Sequence, residues 1–241
     1  MSLQHHAENI HTKIRAVFKH TLKSCNKGYA STSPAGSGAL SQQQIRRNQN
    51  AVFAGYRIAK MRPLQCDSRS IISYGKQLHT LRYSSQLAGN CFEYTCLATY
   101  YACEARIPHI WYASMPVWDH AICIIGPAHL PSPVPIRHMK TQNLIGQEAW
   151  VIDGWANILC QYNNYPEFLK KKLIQWYSQG KGCFLPGGDY TTVDLAATGP
   201  AGWTMAWNDR LQLMLCQPPP LPMAPSDYVE ITMPEKRPEP P

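Results

Sequence analysis

The chain has 241 residues, of which 44% are hydrophobic and 16% charged, with a formal net charge of +8. Such a chain can bury the core of one ordinary domain, and with no apolar run of about 18 residues it offers no membrane-spanning helix. The N-terminus, MSLQHHAENIHTK, lacks the apolar centre of a secretory signal. The nine cysteines do not form an even framework and read as mostly reduced thiols. The charge is uneven: residues 1–82 carry 13 Lys and Arg against 2 acids, whereas residues 83–241 carry 10 against 13. A block of like charge is usually a solvated arm.

In chain order, residues 3–24 predict a helix, with Ile10, Ile14, Val17, Phe18 and Leu22 on one stripe and Lys13, Arg15, Lys19 and Lys23 around it. Such a helix either contacts a membrane surface through its basic residues or docks on its own domain, and docking is the expectation. Residues 26–44 are rich in Ser, Gly, Ala and Gln and read as a flexible linker. Residues 1–44 together are expected to form a basic, partly disordered leader, with the folded domain spanning 45–216.

Arg46, Arg47, Arg57, Lys60 and Arg62 with Phe53 and Tyr56 interleaved resemble a single-strand binding surface. The reading adopted is a helix over 42–61 with Ile45, Val52, Phe53 and Ile58 turned inward, and no nucleic-acid partner. Residues 90–106 predict a third helix, with Asn90 as N-cap and Glu93 in capping-box register. Residues 117–125 and 149–153 predict strands, closed by Gly-Pro and by Gly154. Between them, the Pro-rich stretch 126–142 reads as an irregular insertion, of a length often used as a lid. Residues 166–178 predict a helix with Pro at its start and Gly180 past its end. The tail 217–241 holds nine of the twenty prolines. It reads as disordered, with PPPLP as a ligand for an SH3-like groove the alternative.

Three residues stand out together. Cys91 falls at the first position of a predicted helix, where exposed amides stabilise a thiolate and the backbone N–H can serve a developing oxyanion. His120 lies mid-strand in the prediction and has the acid–base range a general base needs. Asp153 ends the next predicted strand, where a lone carboxylate needs a partner. Helix cysteine, strand histidine and strand aspartate are the parts of a thiol triad. A zinc site is not expected, because no C-x-x-C pair occurs. No cofactor is expected either.

The motifs G-N-C-F-E-Y at 89–94, D-H-A at 119–121 and I-D-G-W at 152–155 resemble the papain/transglutaminase-like cysteine enzyme superfamily. Within it they resemble the bacterial virulence-effector branch of Pasteurella toxin-like deamidases and type III effector cysteine proteases. The resemblance covers roughly residues 80–160. It implies an α+β fold in which a cysteine-bearing helix packs on an antiparallel sheet carrying histidine and aspartate. It implies Cys91 as nucleophile, His120 as base and then acid, and Asp153 as orienter. Gln86 stands one residue short of the oxyanion glutamine's usual offset. Asn90, Glu93, Trp118 and Trp155 are expected to contact substrate. The expected activity is glutamine deamidation or transglutamination of a host protein after secretion from a bacterium into host cytoplasm, with proteolysis by the same triad as the alternative. A non-enzymatic interaction protein using the basic arm and the PPPLP tail is the reading from another class.

Overall fold

The computed structural model describes residues 1–18, 24, 27–30, 32–33, 36–37, 39–83, 87–142, 144, 147–184, 193–194 and 198–217. It opens with α1 (Leu3–Val17), whose N-cap Ser2 accepts from the His5 N–H. Ala7, Ile10, Ile14 and Val17 form its buried stripe and join the main core. Each large aliphatic side chain removed from water there contributes about 1.5–3 kcal/mol. The helix docks on its own domain, and the core therefore takes in a segment well ahead of residue 45. Leu22, expected on the same stripe, lies outside the described residues.

Next come β1 (Lys27–Tyr29), the two-residue strands β2 (Thr32–Ser33) and β3 (Gly36–Ser37), and α2 (Gln42–Ala59). The stretch expected to be only linker thus supplies β1, and Ser41 starts α2 in a capping box with Gln44. The inward face of α2 differs from the expected one. Ala51, Ala54 and Ile58 are buried, whereas Phe53 is 67% exposed. Small alanines let the helix sit close, and the wide aromatic rings are left outside.

Then follow α3 (Ser68–Thr80), capped by Asp67, and α4 (Cys91–Glu104), capped by Asn90 and Glu93 as expected. The helices α3 and α4 cross closely at Gly75, where an added Cβ would lie 2.2 Å from the Cys96 carbonyl oxygen. Beyond α4 lie β4 (Ile110–Met115), β5 (His120–Ile125), β6 (Val134–Pro135), β7 (Trp150–Asp153), β8 (Ile158–Gln161), α5 (Tyr165–Ser178), β9 (Lys181–Phe184), β10 (Val193–Asp194), α6 (Pro200–Asn208) and β11 (Arg210–Cys216). Gly180, just past α5, takes the positive φ of 64° that ends the helix.

The protein is α+β. Six strands form one antiparallel sheet in the order β6-β11-β4-β5-β7-β8, and β1-β9-β10 form a smaller one. Every residue of β5 and β7 is buried, so both faces of the sheet centre are covered. The Pro-rich insertion 126–142 is more regular than expected: β6 pairs with β11, a 3-10 helix spans Ile136–Thr141, and Val134, Ile136 and Met139 are buried. Its apolar side chains belong to the main core. Residues 218–241, with the PPPLP motif, lie outside the described residues. Among the described residues no helix is long and apolar enough to cross a membrane.

Candidate active site

The capping box decides where Cys91 sits. The Asn90 Oδ1 accepts from the Phe92 N–H (3.0 Å), and the Glu93 carboxylate accepts from the Asn90 N–H (2.9 Å). Helix α4 therefore begins at Cys91, whose backbone N–H has no carbonyl partner within the helix. The carboxylate of Glu93 is fully buried and takes two bonds from Arg62, at 2.7 and 3.1 Å, with the Tyr74 hydroxyl at 3.4 Å. Asn90 and Glu93 were expected to contact substrate; the contacts they make here hold the helix start.

His120 is the first residue of β5, not a mid-strand one. Residues 116–119 form the turn after β4, and Asp119 closes it at φ 52°. In the β5–β7 register Cys123 faces Ile152. By strand alternation His120, Ile122 and Asp153 then share one face. His120 Nε2 and Asp153 Oδ2 lie 2.8 Å apart, and both side chains are almost wholly buried. Asp153 also accepts from the Ala156 N–H (2.8 Å) and the Tyr165 hydroxyl (3.0 Å).

These contacts set the charges. Burial favours neutral Asp153, but the His120 charge and the three hydrogen bonds outweigh it and hold the carboxyl below its usual range. Burial likewise pulls His120 down, but Asp153 and then the neighbouring Cys91 thiol carry it up to about 10. With Nε2 committed to the carboxylate, Nδ1 is the nitrogen left for chemistry. It is buried and has no hydrogen-bond partner of good geometry. The Cys91 thiol donates instead to the Asp119 carbonyl, at 3.6 Å. A turn about the Cα–Cβ bond is the motion that would redirect it.

Two indoles pack against the imidazole. The Trp118 and Trp155 ring centroids lie 4.8 and 5.0 Å from that of His120. The two indoles also touch each other, edge-on at 6.2 Å, so the three rings form one cluster. The Trp118 backbone N–H donates to the buried Asp209 carboxylate (2.8 Å), and Trp155 packs edge-on against Trp176 (5.0 Å). Gly154 lets α1 and α4 approach this loop: a Cβ there would lie 2.5 Å from Tyr94 Cδ1 and 2.6 Å from Ile14 Cδ1. Both tryptophans stand beside the histidine that would do the chemistry. Gln86 lies outside the described residues.

Sequence reasoning missed Tyr165, Asp209 and Lys27. Tyr165 and Asp209 act through contacts 12 and 91 residues away, which no local pattern encodes. Lys27 fell in the presumed linker, yet its ammonium lies 4.4 Å above the Trp155 ring and donates to the Trp155 carbonyl. The eight described cysteines are all free thiols. Among the described residues no group of three or more His, Cys, Asp or Glu is placed to hold a metal.

Comparison with protein-family models, curated proteins and solved structures finds no match.

Proposed function

We propose that the protein is a cysteine-dependent amidohydrolase acting on the side-chain carboxamide of glutamine in a host protein, within a papain/transglutaminase-like fold. The observation that carries this reading is the buried His120–Asp153 pair, whose unpartnered Nδ1 neighbours a thiol at a helix start. Cys91 is only 7% exposed. A recessed nucleophile suits a slender side chain entering end-on better than an extended main chain, and this favours deamidation over proteolysis.

In this mechanism the thiol proton already rests on His120 Nδ1, the ring being charged below about 10, and the thiolate sulfur attacks the carboxamide carbon. The developing oxyanion is stabilised by the Cys91 N–H at the positive end of α4. The C–N bond breaks, His120 protonates the departing amine, and ammonia leaves a thioester. His120 then takes a proton from water as its oxygen attacks, and glutamate is released with the thiolate restored. An amine in place of that water gives a cross-link. Asp153 holds the ring and stabilises its cationic form throughout.

The test is mass spectrometry of glutamine-containing peptides incubated with the protein. Amide-to-acid conversion by the wild type and none by Cys91→Ala is the expected result, and a cleaved backbone would assign a peptidase instead. Iodoacetamide at mildly acidic pH should label Cys91 ahead of Cys96, Cys103, Cys123, Cys160 and Cys216, whose thiols burial pushes upward.

A further inference from the structure

Next to Trp155 lies a cavity of about 440 Å³ whose lining includes Arg15, Lys27, Arg47, Lys172 and Lys181 and, among the described residues, no carboxylate. Each comes from a different element: α1, β1, α2, α5 and β9. Five segments scattered through the chain thus bring one basic side chain each to a single concavity. Among the described residues none of the five is paired with an acid.

Their partners are neutral. Arg15 donates to the Gly154 carbonyl (3.0 Å), Lys27 to the Trp155 carbonyl (2.6 Å) and Arg47 to the Lys27 carbonyl (2.7 Å). Lys172 and Lys181 donate to the Gln175 and Gln179 side chains. Arg47 and Lys181 also share the Tyr29 ring, at 5.4 and 5.5 Å from its centroid. Collecting like charges without a counter-charge costs free energy. Burial, Arg15 and Arg47 all disfavour the charged form of Lys27. An anion seated among the five relieves that cost and accepts several charge-assisted hydrogen bonds at once.

We propose that this cavity is the binding site of a small polyphosphate anion. The volume exceeds the needs of a single phosphate, and the concave shape does not offer the open track that a nucleic-acid strand requires. The site also adjoins the triad. Arg15 and Lys27 hold the carbonyls of the two residues that follow Asp153, and Trp155 lies against the His120 ring. Binding is nevertheless measured on its own, so the proposal stands or falls apart from the catalytic reading.

The experiment is calorimetric titration of the full chain with inorganic tripolyphosphate, with orthophosphate and sulfate at matched ionic strength as comparisons. The expected result is one tripolyphosphate per chain, bound more tightly than either comparison anion. The double substitution Lys172→Gln/Lys181→Gln, at the cavity rim, should weaken it about tenfold or more. Arg57→Gln/Lys60→Gln, which removes as much charge from exposed positions outside the cavity, should leave it unchanged. Equal weakening by both pairs, or tripolyphosphate binding no better than sulfate, would overturn the proposal. Co-sedimentation with phosphatidylcholine vesicles carrying phosphatidylinositol bisphosphate separates the sources. Pelleting that tripolyphosphate reverses supports the site with a lipid headgroup as ligand, and tripolyphosphate binding without pelleting supports it with a soluble one.

Discussion

The Nε2 of His120 and the Oδ2 of Asp153 meet at 2.8 Å inside the protein, and this one contact determines which imidazole nitrogen is left beside Cys91. Asp153→Asn keeps the shape of the side chain and removes its charge, so it disturbs the tautomer and the imidazolium together. In the proposed mechanism its turnover falls by about 10³–10⁴-fold, read from peptide deamidation rates. Asp153→Ala leaves His120, Tyr165 and the Ala156 N–H unpaired, and costs about 3–5 kcal/mol in urea unfolding.

The Tyr165 hydroxyl is the third group on that carboxylate, 3.0 Å from Oδ2. Tyr165→Phe removes one buried hydrogen bond and little volume. A loss of about 1–2 kcal/mol in stability is expected, with circular dichroism spectra unchanged. A loss below the error of the melts would show that the hydroxyl does not hold the carboxylate.

Stability should carry opposing pH dependences from two neighbouring bases. His120 is raised in the folded state, so its contribution is complete below the unfolded value of about 6.5 and is lost as pH climbs towards about 10. Lys27 is lowered to about 7, first by burial, against the upward pull of Cys183 and Asp153 and with the downward push of Arg15 and Arg47. Its penalty is present at low pH and fades as pH rises through about 7 towards the unfolded value of about 10.4. Between pH 7 and 10 the two slopes partly cancel. Lys27→Met removes one of them, and its unfolding free energy from urea titrations should fall more steeply with pH than that of the wild type, by up to about 1.4 kcal/mol per pH unit. Asp153, lowered on folding, adds stability that is lost as pH falls from about 3.9 through its folded value.

Gly75 tests the packing that holds α4 in place. Its added Cβ would meet backbone, the Cys96 oxygen at 2.2 Å and carbon at 2.8 Å, besides the Tyr100 Cβ at 2.7 Å. Gly75→Ala should therefore cost about 1–3 kcal/mol, because the two helices must separate. The check is a thermal melt, with iodoacetamide labelling of Cys96 as a second readout, since separation exposes that thiol.

Parts of the site were legible because local chemistry encodes them. Asn90 and Glu93 announce the start of α4, and so place Cys91 at its first turn. The β-branched run before Gly126 announces β5, and the apolar run before Gly154 announces β7. The inward face of α2 was not legible: alternation of large and small side chains does not say which neighbour will need a close approach. The position of His120 at a strand start was also hidden, because it depends on the left-handed backbone of Asp119. Nothing local in the 26–44 stretch indicates that Lys27 will pair into a sheet with residues 181–183.

The sequence by itself determined the helix that presents Cys91, the strands that carry His120 and Asp153, and the excess of positive charge in the first third of the chain. Caps, periodicity and composition act over a few residues, and those are written along the chain. Only the tertiary structure decided that the imidazole is held at Nε2, that Tyr165 steadies the carboxylate and that five basic side chains from five elements face one cavity. These depend on contacts between residues up to 139 positions apart, whose directions are set by sheet order and helix packing rather than by any neighbour in sequence.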